Sequence, residues 1–176
     1  MHNSVDRPGA HDAPRGALPA LNMLRWLELK VPPPVVGLLI AFVMWGACGG
    51  NVASAAPEFV RLTMAGVLAA VGACFDVAGL IAFRREQTTI NPMAPRKTSS
   101  IVTCGVYKVT RNPMYVGLVF FLCAWAAYLW SWWALAGPAA FVVYISRFQI
   151  APEEKALSTL FGAEYLAYQA NVRRWF

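Results

Sequence analysis

The sequence predicts an all-α integral membrane protein with four transmembrane helices. Of its 176 residues, 58% are apolar and 14% are charged, whereas about a quarter of the residues of a soluble domain are charged. Four apolar segments are separated by polar connections, and the basic residues cluster in alternate connections. Since so few charged residues cannot cover a water-soluble domain of this length, we expect lipid to surround most of the chain.

The first part of the chain, residues 1–20, is a leader rich in proline, glycine and alanine. It has no apolar stretch before a cleavage site, so we expect a disordered tail and not a secretory signal. Residues 21–30 place leucines at helical spacing among charged side chains, which is typical of a short helix at a membrane surface. Residues 21–176 are predicted to form a single membrane-embedded domain.

The four apolar segments predict transmembrane helices over about residues 35–48, 62–83, 115–129 and 135–150. The prolines at 32–34 open the first of them, because proline is tolerated in a first helical turn. A helix needs roughly 17–25 apolar residues to cross the hydrocarbon layer, so three of these segments are short unless flanking residues extend them. The second segment is rich in glycine and alanine, which allow another helix to pack closely.

The distribution of basic residues predicts the orientation. Except for Arg61, the lysines and arginines lie in the N-terminal arm, in the loop between the second and third segments, or from the end of the fourth segment onwards. Basic connections stay in the cytoplasm, so both termini are expected there, in a bacterial inner membrane. Trp130, Trp132 and Trp133 lie in the opposite turn, as in an aromatic belt at the interface.

The composition argues against other classes of protein. The net charge of +6 comes from basic residues beside apolar segments, so membrane lipids explain it better than nucleic acid. The cysteines have no CxxC spacing, and His2 and His11 stand alone in the leader, so no metal site is expected. The absence of GxGxxG and Walker sequences argues against a Rossmann-type cofactor fold.

Two polar motifs flank the last two apolar segments. The first is Arg111-Asn112-Pro113-Met114-Tyr115, and the second combines Glu153-Glu154 with residues 161–165. A hairpin of two apolar helices lies between them, so folding is expected to bring the motifs face to face at the membrane edge. We expect Asn112 to cap the third span and Pro113 to begin it. The long loop 84–114 precedes the first motif, and loops of that length are usually functional or disordered.

These motifs resemble those of the isoprenylcysteine carboxyl methyltransferase family, a broad group that includes phospholipid methyltransferases and bacterial thiol methyltransferases. The resemblance covers about residues 60–176 and is carried by residues 88–92, 105–115, 153–165 and 172–175. It implies an integral-membrane enzyme that uses S-adenosylmethionine, with a cofactor pocket formed by the cytoplasmic loop, the hairpin and the C-terminal helices. Asn112 departs from the family pattern, which often has histidine there, because an amide cannot titrate.

The residue types of the motifs suit that cofactor. Arg111 can bind the carboxylate of its methionine part as a bidentate fork. The two glutamates can accept hydrogen bonds from the ribose or the amino group, and Tyr107, Tyr115 or Trp125 can provide an aromatic wall. Structural roles stay open, because Arg111 can also anchor the chain at the head groups and the glutamates can stabilise a helix N-terminus. The candidate cofactor-binding residues are Tyr107, Arg111, Asn112, Pro113, Tyr115, Glu153 and Glu154.

Arg147 and Asp76 are candidates for the substrate side of the site, and Arg147 and Glu154 are the candidate catalytic residues. Arg147 lies just before the glutamates, so it can bind a substrate anion, support the glutamates or reach the head groups. Asp76 lies within the second span, where a carboxylate is costly and should face the bundle interior or a wet cavity. Its structural alternative is a hydrogen bond between helices. Arg173 and Arg174 can close the site or contact lipid.

The predicted acceptor is lipophilic or a small apolar molecule that enters from the bilayer. Since the motifs contain no histidine, an acceptor that needs no deprotonation is favoured, and methylation of an isoprenylcysteine-type carboxylate is the first prediction. A phospholipid amine and a small thiol are the alternatives within the class. A non-enzymatic transporter or assembly protein is an alternative outside the class, but it predicts charges lining a path through the membrane, and Asp76 is the only ionisable residue deep in a predicted span. A membrane anchor for a soluble partner is another, and it leaves the two paired motifs unexplained. The sequence favours no particular oligomeric state.

Overall fold

The computed structural model describes residues 28–49, 56–85 and 100–176, and the regular secondary structure of these residues is entirely helical. The predicted disordered tail (1–20) and most of the predicted surface helix (21–30) lie outside the described residues. So do residues 86–99 of the long loop. The all-α prediction is confirmed for the described part of the chain.

The described part of the chain contains six α-helices, and a short 3₁₀ turn, Gly105–Lys108, lies before the first polar motif. A second 3₁₀ turn, Trp132–Leu135, and a π turn, Ser146–Ile150, flank the fourth helix. In chain order the helices are α1 (Pro33–Ala47), α2 (Glu58–Arg85), α3 (Pro113–Leu129), α4 (Ala136–Ile145), α5 (Ala151–Phe161) and α6 (Ala163–Asn171).

Within residues 28–49, 56–85 and 100–176, two helices are long and apolar enough to cross a membrane: α2 with 28 residues, and the continuous helix Trp132–Phe161 with 30. The shorter apolar helices α1 and α3 have 15 and 17 residues. At 1.5 Å per residue α1 is about 22 Å long, against about 30 Å of hydrocarbon. Membrane-spanning character is therefore supported for two helices, and the four-span arrangement stays a prediction.

Pro152 does not interrupt the helix that contains it. The chain passes from α4 through the π turn into α5 without a break. Pro152 has no N–H, so the carbonyl of Phe148, four residues earlier, lacks its usual helical donor. The N–H of Leu29 donates to that carbonyl at 3.1 Å. A main-chain group from a distant segment thus stabilises the helix where proline would otherwise interrupt it.

Helices α2 and α3 are packed closely through glycine. A Cβ atom on Gly72 would lie 2.9 Å from the carbonyl oxygen of Gly117, and one on Gly79 would lie 3.1 Å from the side chain of Met114. The predicted close packing through small residues is present at Gly72, whereas Gly66, on the same helix, has open space around it. The close contact sets where α3 begins relative to α2, and α3 carries the first polar motif at its start.

The main apolar core lies between α1, α3 and the long helix. Phe141, Ile145 and Ile150 are fully buried there beside Leu129. Trp125 donates its indole N–H to the carbonyl of Ala41 at 3.0 Å, which ties α3 to α1. This core holds the α3–α4 hairpin together, so the two polar motifs at its open end have defined positions.

Candidate active site

The two polar motifs meet in the structure, as the hairpin argument predicts. Nη1 of Arg111 lies 3.0 Å from Oε1 of Glu154, and the two side chains are 12% and 13% exposed. Arg111 stands just before α3, and Glu154 lies in the first turn of α5. Partial removal from water strengthens such an ion pair relative to a surface pair.

A second guanidinium, that of Arg174, contacts the same carboxylate. Its Nε donates to Oε1 of Glu154 at 3.1 Å, and its Nη2 donates to Oε2 at 2.6 Å. This is a bidentate fork, the strongest common geometry between arginine and a carboxylate. The hydrogen bond to Glu154 raises the pKa of Arg174 further above its ordinary value. Glu154 therefore lies between two arginines, and we call Arg111, Glu154 and Arg174 the charged cluster.

Arg174 belongs to an irregular stretch after α6, residues 172–176, which we call the closing segment. The N–H of Arg111 donates to the carbonyl of Arg173 at 3.0 Å. The hydroxyl of Thr110, a fully buried residue, donates to the carbonyl of Arg174 at 3.1 Å. These bonds hold the closing segment against the residues that precede α3.

Asn112 has a different role from the one expected. It stands at the N-cap position of α3, and Pro113 begins the helix as predicted. Its side chain makes no capping hydrogen bond to the helix. Instead, its amide donates to the carbonyl of Arg174 at 3.0 Å. At the position where the resembling family often has histidine, this side chain serves as an anchor for the closing segment.

The second glutamate of the motif has a separate partner. The hydroxyl of Tyr115 donates to Oε2 of Glu153 at 3.0 Å. Tyr115 is buried, with 7% of its surface exposed. Glu153 is half-buried. Its other oxygen forms no hydrogen bond or ion pair with residues 28–49, 56–85 and 100–176. The two adjacent glutamates are thus held by different parts of the first motif.

Three tyrosines form the wall beside the charged cluster. The hydroxyl of Tyr168 donates to the carbonyl of Tyr107 at 2.7 Å, which joins α6 to the turn before α3. Tyr107 is buried with its ring edge-on to that of Phe83 at 5.5 Å. Burial, and secondly the charge of Glu154, raise the pKa of Tyr165 to about 12. Burial likewise raises the pKa of Tyr168. These phenols stay neutral at physiological pH.

Arg147 and Trp125 lie away from this cluster. Nη1 of Arg147 forms an ion pair with Oε1 of Glu28 at 2.8 Å, and its side chain is 45% exposed. Its expected support of Glu153 and Glu154 is not observed. Trp125 lies in the core against α1, with its ring stacked on that of Tyr128 at 5.5 Å. Its suggested role as an aromatic wall therefore has no geometric basis.

Asp76 faces the bundle interior, as expected of a carboxylate within an apolar helix. Its Oδ1 lies where a Cβ atom of Gly117 would be, so the carboxylate contacts the backbone of α3. That oxygen is buried and has no hydrogen-bond partner among the residues that the structure describes. Asp76 is thus close to α3, and no basic side chain forms an ion pair with it among the described residues.

Arg111 is the group in this site that most clearly lacks an acceptor. Its Nε is buried and makes no hydrogen bond within the described ranges, and its Nη1 has the ion contact with Glu154 without hydrogen-bond geometry. A buried guanidinium N–H without an acceptor is costly. An anionic ligand such as a carboxylate would satisfy it, so the residues present fit the acidic end of an amino-acid cofactor.

An apolar cavity of about 330 Å³ lies between α3, α4 and the end of the closing segment. Its lining begins at Val116, directly after Tyr115, and includes Trp175 and Phe176, directly after Arg174. No predicted cofactor residue is part of that lining, so the cofactor pocket itself stays a prediction. The lining residues are Val116, Val119, Phe120, Cys123, Val142, Trp175 and Phe176.

Comparison with known proteins shows a match to a protein family. A family model described as phospholipid methyltransferase matches residues 60–164, which contain the first polar motif and all of the second except Tyr165. A protein of Haemophilus influenzae described only as uncharacterized is 44% identical over 62 residues, which is 35% of this chain and 98% of that protein. No solved structure matches. The family match ends before the closing segment.

Proposed function

Because this chain belongs to the phospholipid methyltransferase family, we propose that it transfers a methyl group from S-adenosylmethionine to a lipophilic acceptor at the membrane surface. The family match confirms the resemblance found in the motifs, and the two long apolar helices support a membrane protein. The observation that carries the proposal is the partly buried charged cluster, in which Arg111 lacks an acceptor among the described residues. We propose the cofactor, the acceptor and the roles of the residues on this basis.

Arg111 would bind the carboxylate of the cofactor. Its side chain is 12% exposed, and its buried Nε has no hydrogen-bond partner among the residues that the structure describes. A carboxylate placed there would gain a charge-assisted hydrogen bond, which is about twice as strong as a neutral one. Glu154 is less suited to contact the cofactor, because both of its oxygens already accept hydrogen bonds from Arg174.

Glu153 is better placed than Glu154 to contact the ribose or the amino group. One of its oxygens accepts from Tyr115, which fixes the carboxylate and leaves the other oxygen available. The neutral tyrosines at positions 107, 165 and 168 would form the aromatic side of the site. Asn112 and Pro113 would act indirectly, because they hold the closing segment and begin α3.

The apolar cavity would hold the chain of the acceptor. It is lined by residues of α3 and α4 and by Trp175 and Phe176, which follow Arg174 directly in the chain, so the polar group of a bound lipid tail would be directed toward the charged cluster. When bound, S-adenosylmethionine supplies a methyl group on a sulfonium, and its transfer to an acceptor lone pair leaves the carbon–sulfur electron pair on a neutral thioether. The protein need mainly align the two reactants and exclude water, which the closing segment and cavity walls favour.

The polar group of the acceptor has two leading candidates. A carboxylate has no proton to lose, and the described site contains no histidine to remove one, which is the basis of the first prediction from the sequence. The description of the family favours the amine of a phospholipid instead. Asp76 and Arg147 stay candidates for the substrate side, Asp76 through its contact with α3 and Arg147 at the exposed edge of the long helix.

The proposal is tested by calorimetric titration of the purified protein, in detergent or lipid nanodiscs, with S-adenosylmethionine. We expect wild type to bind, and Arg111→Ala to weaken binding by about ten- to a hundredfold, as expected for loss of a charge-assisted hydrogen bond. Arg61→Ala is the matched control, because Arg61 contacts Tyr128 at the other end of the helices. Its affinity for the cofactor should equal that of wild type.

Transfer of a labelled methyl group to three acceptors would then identify the acceptor. Suitable compounds are a phosphatidylethanolamine, a prenylated cysteine with a free carboxylate and an alkyl thiol, each with a long apolar chain. A folded wild-type protein that binds no S-adenosylmethionine would overturn the proposed function. Binding that is equally strong in Arg111→Ala would leave the activity standing and remove Arg111 from the site.

A further inference from the structure

The closing segment is bound to the residues that precede α3. It lies outside the residues matched by the family model, 60–164. Three hydrogen bonds fix its main chain: one from the N–H of Arg111 to Arg173, and two to the carbonyl of Arg174, from Thr110 and Asn112. All three donors belong to the residues that immediately precede α3, so the position of Arg174 is set by the same stretch that carries Arg111.

The contacts of Glu154 suggest what this arrangement achieves. Arg174 engages both oxygens of Glu154, whereas Arg111 has one ion contact with Oε1. A carboxylate held by a bidentate fork has little freedom to turn. Without Arg174, Glu154 would be free to rotate and form its own fork with Arg111. It would then occupy the N–H groups that a ligand carboxylate needs.

The net charge of the charged cluster also favours binding of an anionic ligand when Arg174 is present. Two guanidinium groups and one carboxylate leave the charged cluster with a formal charge of +1. Removal of Arg174 would leave a neutral pair of Arg111 and Glu154. A partly buried neutral pair attracts an anionic ligand much less than a cluster with one excess positive charge.

We propose that Arg174 is a positioning residue of the cofactor site: it holds Glu154 away from the free donors of Arg111, so that Arg111 can bind the carboxylate of the cofactor. This inference rests on the proposed function. Arg174 acts on the ligand through Glu154 and is not itself a ligand contact. The role belongs to Arg174 and not to Arg173, whose exposed side chain forms no ion pair within the described part of the chain.

The test measures the affinity for S-adenosylmethionine in Arg174→Ala and in the matched control Arg173→Ala. The two variants remove the same charge from adjacent positions of the same segment. We expect Arg174→Ala to bind about tenfold more weakly than wild type, on the scale of a lost charge-assisted hydrogen bond. Arg173→Ala should stay within about twofold, since its charge is exposed and screened. Equal loss in both variants would overturn the proposal, because net charge alone would then explain it.

A double-mutant cycle tests whether Arg174 acts through Glu154. In a Glu154→Gln background the competing carboxylate is absent, so adding Arg174→Ala should change the affinity by less than about twofold. Full additivity of the two substitutions would contradict the proposed route. Arg174→Lys, which keeps the charge and loses the fork, should show an intermediate affinity and guards against a folding defect in the alanine variant.

A second readout does not need the cofactor. Hydrogen exchange of the amide of Arg111, which donates to Arg173, should be faster in Arg174→Ala and unchanged in Arg173→Ala. Unchanged exchange in both would show that Arg174 does not hold the segment. If folded wild type binds no S-adenosylmethionine, the proposed function fails and this inference fails with it. If wild type binds and the two arginine variants behave alike, this inference alone fails.

Discussion

At the scale of single residues, the site depends on polar groups that each satisfy a particular neighbour. Asn112 illustrates this, because its amide is used for the carbonyl of Arg174 and not for the helix that it precedes. A main-chain carbonyl needs only an N–H donor, so this contact requires no group that can titrate. The replacement of the family's frequent histidine by asparagine is therefore compatible with the observed anchor.

The contact between Asp76 and Gly117 predicts the cost of a single methyl group. Gly117→Ala would place a Cβ atom on the carboxylate of Asp76 and 3.0 Å from the carbonyl of Gly72. Helices α2 and α3 would have to separate, and we expect a loss of about 1–3 kcal/mol, typical of overpacking. Thermal unfolding in detergent measures this.

The control for that prediction is Gly66→Ala on α2, where a Cβ atom would meet nothing within 4 Å. It should unfold at the wild-type temperature or above, since alanine favours a helix over glycine by about 1 kcal/mol. Asp76→Ala in the Gly117→Ala background should restore part of the stability. If both glycine variants lose the same stability, the close contact does not decide the packing of the two helices.

At the scale of helices, two interruptions shape the site, and only one is a true break. At Pro152 the helix continues, because Leu29 supplies a donor to Phe148 and the preceding π turn adjusts the backbone. At Gly162 the helix ends, since this residue has φ 51° and ψ −123°, a conformation that other residues avoid. The chain then turns into α6, which brings Tyr165 and Tyr168 back to the site.

Gly162→Ala is therefore expected to destabilise the turn by about 1–3 kcal/mol through the backbone alone. Nothing lies within 4 Å of the added Cβ, so a steric clash would not contribute. Because α6 would lose its direction, the affinity for S-adenosylmethionine should fall as well. Circular dichroism melting and the calorimetric titration report the two effects.

Gly46→Ala in α1 is the matched control, because Gly46 is helical and also has nothing within 4 Å. Its melting temperature and cofactor affinity should equal or exceed those of wild type. A Gly162→Ala variant that melts like Gly46→Ala would show that the positive φ is not required at the turn.

At the scale of the whole molecule, charged groups and exposed aromatic groups lie at opposite ends of the α3–α4 hairpin. The charged cluster lies at the open end, and Trp132 and Trp133 lie at the closed end, where they are 69% and 64% exposed and stacked at 3.8 Å. Exposed apolar residues cover α1 and α2 along their length. This distribution suits a membrane with one interface at each end of the hairpin.

The orientation predicted from the basic residues can be tested with single cysteines in a cysteine-free background. Lys108 is exposed at the charged end, and Ser131 lies at the tryptophan end. In intact cells, a membrane-impermeant maleimide should label Ser131→Cys and not Lys108→Cys, and inverted vesicles should give the opposite pattern. Labelling of Lys108→Cys from outside the cell would contradict the predicted orientation.

The sequence by itself determined the apolar helices, the start of α3 at Pro113 and the meeting of Arg111 with Glu154. The helices depend on local composition. The meeting of the two residues depends on the short turn of the hairpin, which places its two open ends side by side. The tertiary structure alone decided that Arg174 forms a bidentate pair with Glu154 and that Arg147 pairs with Glu28. It also decided that the N–H of Leu29 donates to the carbonyl left without a helical donor by Pro152. Each of these contacts joins residues far apart in the chain. A polar side chain with several possible partners takes the one that packing brings within about 3 Å, and no local pattern records that choice.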